Sequence, residues 1–184
     1  KRKNWNGLIS GFSASDLVFL DESGCNTDMT RRYAYSFGGS RAVDATPLSK
    51  PKNTTILSSI QLNGTLHYTT FSGGTTVERF KRYLETDLLP HLNGNSILVM
   101  DNMKSHHAKA VKELLDSSGV RYIYLPPYSP DLNPIEKLWS KVKAFLRKFK
   151  ARTLDALPNA IQNAFHSVTV SDCSGWFRFC GYAL

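Results

Sequence analysis

Prolines at positions 126, 127, 130 and 134 separate an apolar run, Tyr122 to Leu125, from a strongly patterned segment that opens at Pro134. Proline fixes φ and has no backbone N–H to donate, so no regular element crosses this stretch before Asn133. The chain here is restricted to strand, irregular loop and helix, in that order. Within the last part Ile135, Leu138, Trp139, Val142, Phe145, Leu146 and Phe149 follow the i, i+3, i+4, i+7 series, the stripe of a helix with one buried face. Glu136 lies just off that stripe on the first turn. Lys143 and Arg147 share its flank, about 10 Å and about 16 Å further along at 1.5 Å of rise per residue. Two readings of Glu136 stand at this point. It completes a capping box with Asn133 as N-cap and favours the helix dipole, or it is a functional carboxylate carried on a helix start.

Two further acids close continuous apolar runs. Leu17 to Leu20 leads into Asp21-Glu22-Ser23-Gly24, and Ile97 to Met100 leads into Asp101. Such runs are the signature of strands buried on both faces. Between them, Tyr33 to Phe37 has the composition of a strand. Thr54–Leu62 and Thr65–Phe71 flank Asn63-Gly64, the signal for a two-residue type I′ hairpin with positive φ at both central residues. That turn sets Ile60 opposite His67 and Ile56 opposite Phe71, which makes His67 a strand-face residue rather than a ligand. Thr75-Thr-Val-Glu78 is a capping box opening a helix through Val77, Phe80, Leu84 and Leu88 that ends before Pro90. Ala108, Val111, Leu114 and Leu115 give another helix, stopped by Gly119. Val120 to Leu125 is the last strand.

This order is mixed α/β. Strands joined through helices run parallel, so the first strand sits beside the fourth and the hairpin extends the other edge. Asp21 and Asp101 then emerge together at one end of the sheet, and the helix of Glu136 has only to cross that end for three carboxylates to meet.

With 184 residues and 41% hydrophobic content the chain builds one core. Residues 1–16 read as a polar lead-in or linker ahead of a domain spanning 17–184. Cys25, Cys173 and Cys180 are too few and too scattered for a disulfide framework or a zinc site, which fits a reducing compartment. No apolar run approaches the length of a membrane span. The net charge is +8, with its excess concentrated at Lys1-Arg2-Lys3 and from Lys137 to Arg152; such a local excess points to a polyanion. Three converging carboxylates repel one another and are stable together only if protonated or shared with cations. Oxygen donors without His or Cys suit Mg²⁺ or Mn²⁺, and two such ions about 3.5–4 Å apart support in-line phosphoryl displacement.

Phe19-Leu-Asp-Glu-Ser23, Asp101-Asn102 followed by His106-His107, and Leu125-Pro-Pro-Tyr-Ser-Pro-Asp-Leu-Asn-Pro-Ile-Glu136 with Trp139 resemble the catalytic domain of DDE transposases of the mariner superfamily, in its bacterial insertion-sequence branch. Residues 102–135 place 34 residues between the second Asp and the Glu, the interval typical of that superfamily. Gly175 to Tyr182 is similar to the end of such proteins. The resemblance implies an RNase H-like five-stranded mixed sheet flanked by helices. It implies Asp21, Asp101 and Glu136 as metal-binding catalytic residues for two Mg²⁺ or Mn²⁺ ions, with Asp21 bridging both. The implied activity is cleavage of transposon-end DNA and transfer of the 3′-OH to target DNA, commonly at TA. Implied too are a homodimer on paired ends and a cytoplasmic, nucleoid-associated location in a bacterium. The helix-turn-helix region that precedes the catalytic part in this family is not recognisable here. Another RNase H-like nuclease, such as a resolvase, and an inactive DNA-binding remnant are the alternatives.

Around the triad, Glu22 is a spare ligand or a residue turned to the opposite face of its strand. Asp131 competes with Glu136 for the third position or orders the Pro-rich turn. Asn102, His106 and His107 orient the site or lie on a helix surface. Lys141, Lys143, Arg147 and Lys150 contact DNA phosphates or form a solvated face, while Trp139 and Trp176 belong to the core.

Overall fold

The two acid-terminated runs lie side by side in a computed structural model that describes residues 4–48 and 51–182; the basic Lys1-Arg2-Lys3 lies outside the described residues. Strand β1 (Leu17–Cys25) and β4 (Ile97–Met100) pair in parallel from Leu17↔Ile97 to Leu20↔Met100. Strand β5 (Arg121–Tyr124) continues the parallel ladder beyond β4. On the other side, β2 (Thr54–Gln61) and β3 (Leu66–Ser72) add antiparallel, giving the order β3-β2-β1-β4-β5.

Alternation along the strands divides the apolar residues between two cores. Leu17, Phe19, Ile97 and Val99 face one, which α4 (Ile135–Phe149), α5 (Leu157–His166) and α6 (Val170–Phe179) complete through Leu138, Val142, Ile161 and Phe177. Val18, Leu20, Leu98 and Met100 face the other, closed by α2 (Val77–Tyr83) and α3 (Lys109–Ser118) through Phe80 and Val111. The sheet is thus covered on both faces, which is why its central strands are continuous apolar runs. The segment expected as a polar lead-in carries α1 (Trp5–Ile9) and buries Trp5 in the first core.

Several local expectations are corrected. The hairpin closes through a three-residue loop, Leu62 to Gly64, with Gln61 paired to Thr65. Gly64 alone takes positive φ, at 88°, while the Asn63 side chain accepts the Thr65 N–H. The register therefore shifts by one: His67 opposes Ser59 and Leu66 opposes Ile60. His67 stays on the strand face, its ring stacked on His91 at 4.5 Å. Tyr33 to Phe37 is not a strand. Among the described residues no strand pairs with it, and its aromatics are fully exposed between β1 and β2. Thr76, not Thr75, caps α2, accepting the Arg79 N–H. After Tyr83 the helical path runs on through a π turn and a 3₁₀ turn that contains Pro90, near a turn start where its missing N–H is not needed.

Candidate active site

Strand parity sets the first two carboxylates. Asp21 follows Leu17 and Phe19 on one face of β1, and Asp101 follows Ile97 and Val99 on the same face of β4. The parallel ladder ends at Leu20↔Met100, so the next residue of each strand brings these acids to one sheet end. There β1 parts from β4 but stays paired with β2 as far as Cys25↔Thr54, which anchors Asp21 in a strand instead of a loop. Helix α4 begins at Ile135, after the Pro-rich loop, and holds Glu136 above the same end. Asp21, Asp101 and Glu136 line one cleft of about 530 Å³, with Asn133, Trp139 and Tyr128.

Each strand acid has its own support. Asp21 Oδ1 accepts the Glu22 N–H at 2.8 Å, and Asp21 Oδ2 accepts the indole N–H of Trp139 at 3.3 Å. Trp139 was expected in the core, and it is buried there against Phe165, yet its one polar atom is spent on a carboxylate 118 residues away. Asp101 accepts the Met103 N–H at 3.0 Å and meets His106 Nδ1 at 2.8 Å. The opposite nitrogen, His106 Nε2, lies 3.2 Å from Glu22 Oε2. Glu22 thus turns to the other face of β1 while still lining the edge of the cleft, and clasps a histidine that is itself fully buried against Phe80. His106 sits in the turn before α3, not on a helix surface.

The other expected neighbours are placed as follows. Asn102 Nδ2 donates to the Leu125 carbonyl, joining the end of β4 to the Pro-rich loop, and exposed His107 stacks on Tyr124 at 4.1 Å. Tyr182 donates to the Leu132 carbonyl and packs on Phe19, holding the same loop from the C-terminal side. Asp131 lies in the 3₁₀ turn Pro130–Leu132, outside the cleft lining. Tyr128, with φ of 55°, holds its ring fully exposed at the cleft rim. The capping box is not formed: the Asn133 side chain caps nothing, and its Oδ1 is buried without a partner in the cleft wall.

The electrostatics mark an acidic site short of positive charge. Burial pushes the Asp21 carboxyl up, its bond to the Glu22 N–H pulls it down, and the charges of Asp101, Glu136 and Glu22 raise it further, to about 7. Burial also raises Asp101, but the His106 and Met103 bonds and the charges of both histidines outweigh it, leaving Asp101 below the usual carboxylate range. For His106, burial favours the neutral ring and is overcome by Asp101 and Glu22, which push it up to about 9. Among the described residues no three Asp, Glu, His or Cys side chains close around a single ion position, as expected of carboxylates that repel one another. Their all-oxygen donor set and the raised Asp21 nonetheless fit a hard divalent cation.

The basic flank of α4 is less uniform than its sequence. Lys141 pairs with Asp172 at 2.5 Å and Lys150 with Asp44 at 2.5 Å, so both have acidic partners. Arg147 joins Arg31, Arg32, Tyr33 and Lys148 around a cavity of about 370 Å³, and Lys143 is half-buried near Cys25.

Comparison with known proteins places this geometry. Residues 16–158 match the profile of the DDE superfamily endonuclease family. The chain is 28% identical over 97 residues to the transposable element Tc1 transposase of Caenorhabditis elegans, covering 50% of this chain and 36% of that protein. It is 31% identical over 75 residues to the Tcb2 transposase of Caenorhabditis briggsae, covering 41% of this chain and 28% of that protein. The chain therefore spans only about a third of the curated relatives it matches. The Mos1 transposase paired-end complex with left transposon end superposes with a TM-score of 0.81 at 19% identity, covering 96% of this chain and 56% of that one. The Mos1 mariner paired end complex with Mn gives 0.75 at 21%, covering 90% and 52%. The fold is that of the Mos1 catalytic domain, which is RNase H-like. With that fold under the carboxylates and a family match running from the start of β1 into α5, the chain belongs to the DDE superfamily endonucleases.

Proposed function

We propose that residues 17–184 form the catalytic domain of a mariner-superfamily transposase, of the bacterial insertion-sequence branch, that cleaves transposon-end DNA and joins the freed 3′-OH to target DNA at TA. The observation that carries this is the placement of Asp21 and Asp101 on adjoining strand ends beneath Glu136. The Tc1 relative and the likeness to complexes of Mos1 with transposon ends support the transposase part of this reading. In this reading Asp21, Asp101 and Glu136 hold two Mg²⁺ or Mn²⁺ ions, which when bound would neutralise charge on the transferring phosphoryl group. Glu22 and His106 keep Asp101 turned to the cleft, and Asn102 fixes the Pro-rich loop that leads into α4. Lys143 and Arg147 contact the DNA backbone. The working protein is a homodimer on paired ends, acting in the cytoplasm at the nucleoid.

The test is an assay with Mg²⁺ or Mn²⁺ on transposon-end duplexes and a target plasmid. Nicked ends carrying 3′-OH groups and strand-joined products are expected, both lost in Glu136→Gln. Undiminished activity in that variant would overturn the assignment of Glu136. Cleavage without joining would make the protein a nuclease of another kind, and binding without turnover a DNA-binding remnant.

Because Asp21 binds its proton until about pH 7, a cation must displace that proton below this pH. Mn²⁺ affinity is expected to rise about tenfold per pH unit up to pH 7 and then level off. Calorimetry in buffers of different ionisation enthalpy reads this directly; a flat profile from pH 5 to 8 refutes the link.

DNA affinity is expected to fall steeply with salt, by about 0.9 in log–log slope per phosphate contact. Neutralising Lys143 and Arg147 together lowers the slope by up to about 2, whereas Lys141→Gln, whose charge answers Asp172, leaves it unchanged. An unchanged slope in the double variant would remove this flank from the DNA surface.

A further inference from the structure

We infer that Trp139 is a positioning residue for Asp21: from the cleft wall its indole N–H holds one carboxylate oxygen and leaves each Asp21 oxygen an acceptor site for a cation. The inference rests on the cation-binding reading proposed above. A carboxylate offers about four acceptor sites over its two oxygens. Asp21 Oδ1 spends one on the Glu22 N–H and Asp21 Oδ2 spends one on Trp139 Nε1. The two bonds reach different oxygens, so together they oppose rotation of the carboxylate plane, which neither does alone. One free site per oxygen is what a group shared between two cations requires.

The donor is itself held. Trp139 is buried, with its ring edge-on to Phe165 at 6.5 Å, and it stands three residues after Glu136 on α4. The same helical turn therefore presents one carboxylate and orients another, so the docking of α4 on β1 sets both. A tryptophan kept only to fill the core would be served by any nearby acceptor, such as a main-chain carbonyl. This one donates to Asp21, the carboxylate at the end of β1 in the cleft shared with Asp101 and Glu136.

The experiment compares Mn²⁺ binding by calorimetry in the wild-type chain, Asp21→Asn and Trp139→Phe, which keeps the aromatic packing and removes the N–H. Loss of the support is expected to weaken Mn²⁺ binding about 10–100-fold, beyond the modest loss of thermal stability that the smaller buried ring brings without metal. The Mn²⁺ concentration for half-maximal cleavage should rise by the same factor, while kcat recovers at saturating Mn²⁺. Wild-type Mn²⁺ affinity in Trp139→Phe, with binding lost in Asp21→Asn, overturns the inference and leaves the cation site standing. A wild-type chain that binds no Mn²⁺ overturns both. Should Trp139→Phe fail to fold, the indole N–H resonances of the three tryptophans serve instead. The Trp139 signal is expected to shift on Mg²⁺ addition and in Asp21→Asn, and a signal unmoved by either overturns the inference.

Discussion

An Asp21→Asn variant is expected to lose strand cleavage by about a hundredfold to a thousandfold and, without metal, to be more stable than the wild type at pH 8. The two effects have one cause. Asp21 sits in a half-dry site facing Asp101 and Glu136, and its carboxyl is held up at about 7 from an ordinary 3.8. A group whose folded value is raised stabilises the fold fully below the unfolded value, and that contribution is lost as pH rises through the folded one. At pH 8 the ionised group therefore opposes folding. Asn keeps the shape, stays neutral, and surrenders part of the gain because its amide nitrogen is a donor, so one of the two N–H bonds to this side chain is lost. A net gain of about 1–3 kcal/mol at pH 8, vanishing near pH 4, is expected from urea titrations. Saturating Mg²⁺ should restore the wild type and leave Asp21→Asn where it was. A variant less stable than the wild type at pH 8 would mean that the acids are not in conflict.

His106→Ala is expected to be the most destabilising single change near the site, at about 3–5 kcal/mol near neutral pH. The ring is fully buried, stacked on Phe80 at 4.3 Å and set between Glu22 at 3.2 Å and Asp101 at 2.8 Å. Alanine leaves a cavity beside Phe80 and, worse, a largely buried Glu22 carboxylate facing no cation. Glu22→Gln in the same chain should recover much of the loss, because it removes the stranded charge. His106 is raised to about 9, so its stabilisation is complete below about pH 6.5 and fades as pH climbs through 9. The gap between wild type and His106→Ala should narrow accordingly at pH 10. A loss under about 1 kcal/mol, equal at pH 6 and pH 10, would show that the contacts carry no charge energy.

Much of this arrangement could be read before any coordinates. The apolar runs at Leu17 and Ile97, each closed by an acid, place two carboxylates by parity alone, and the heptad-like stripe of α4 places the third. What escaped was whatever depended on neighbours distant in the chain. Nothing local distinguishes Trp139 from an ordinary core aromatic, since its partner is 118 positions away. Glu22 could be assigned to the opposite face of β1, but not to His106, because the turn that delivers His106 has no periodicity. The hairpin register failed by one residue because Asn-Gly serves two loop lengths, and the pairing of Gln61 with Thr65 decides between them. Asn133 and Glu136 match a capping box in sequence, but the prolines around Asn133 hold its side chain in the cleft wall. Tyr33 to Phe37 has strand composition but, among the described residues, no strand paired with it, and composition cannot supply a neighbour.

The pleat of β1 turns two successive acids into opposite layers, one toward α4 and one toward α3. Inserting or deleting one residue between Leu17 and Asp21 would exchange them, setting Glu22 on the face that Asp21 occupies and leaving His106 to face the wrong partner. Substitutions along this strand can be graded by size, but a change of length has no mild form. The irregular stretch from Asn26 to Leu48 is under no such rule. Gain and loss of residues among descendants of a common ancestor should therefore gather there and be missing from the short run ahead of Asp21.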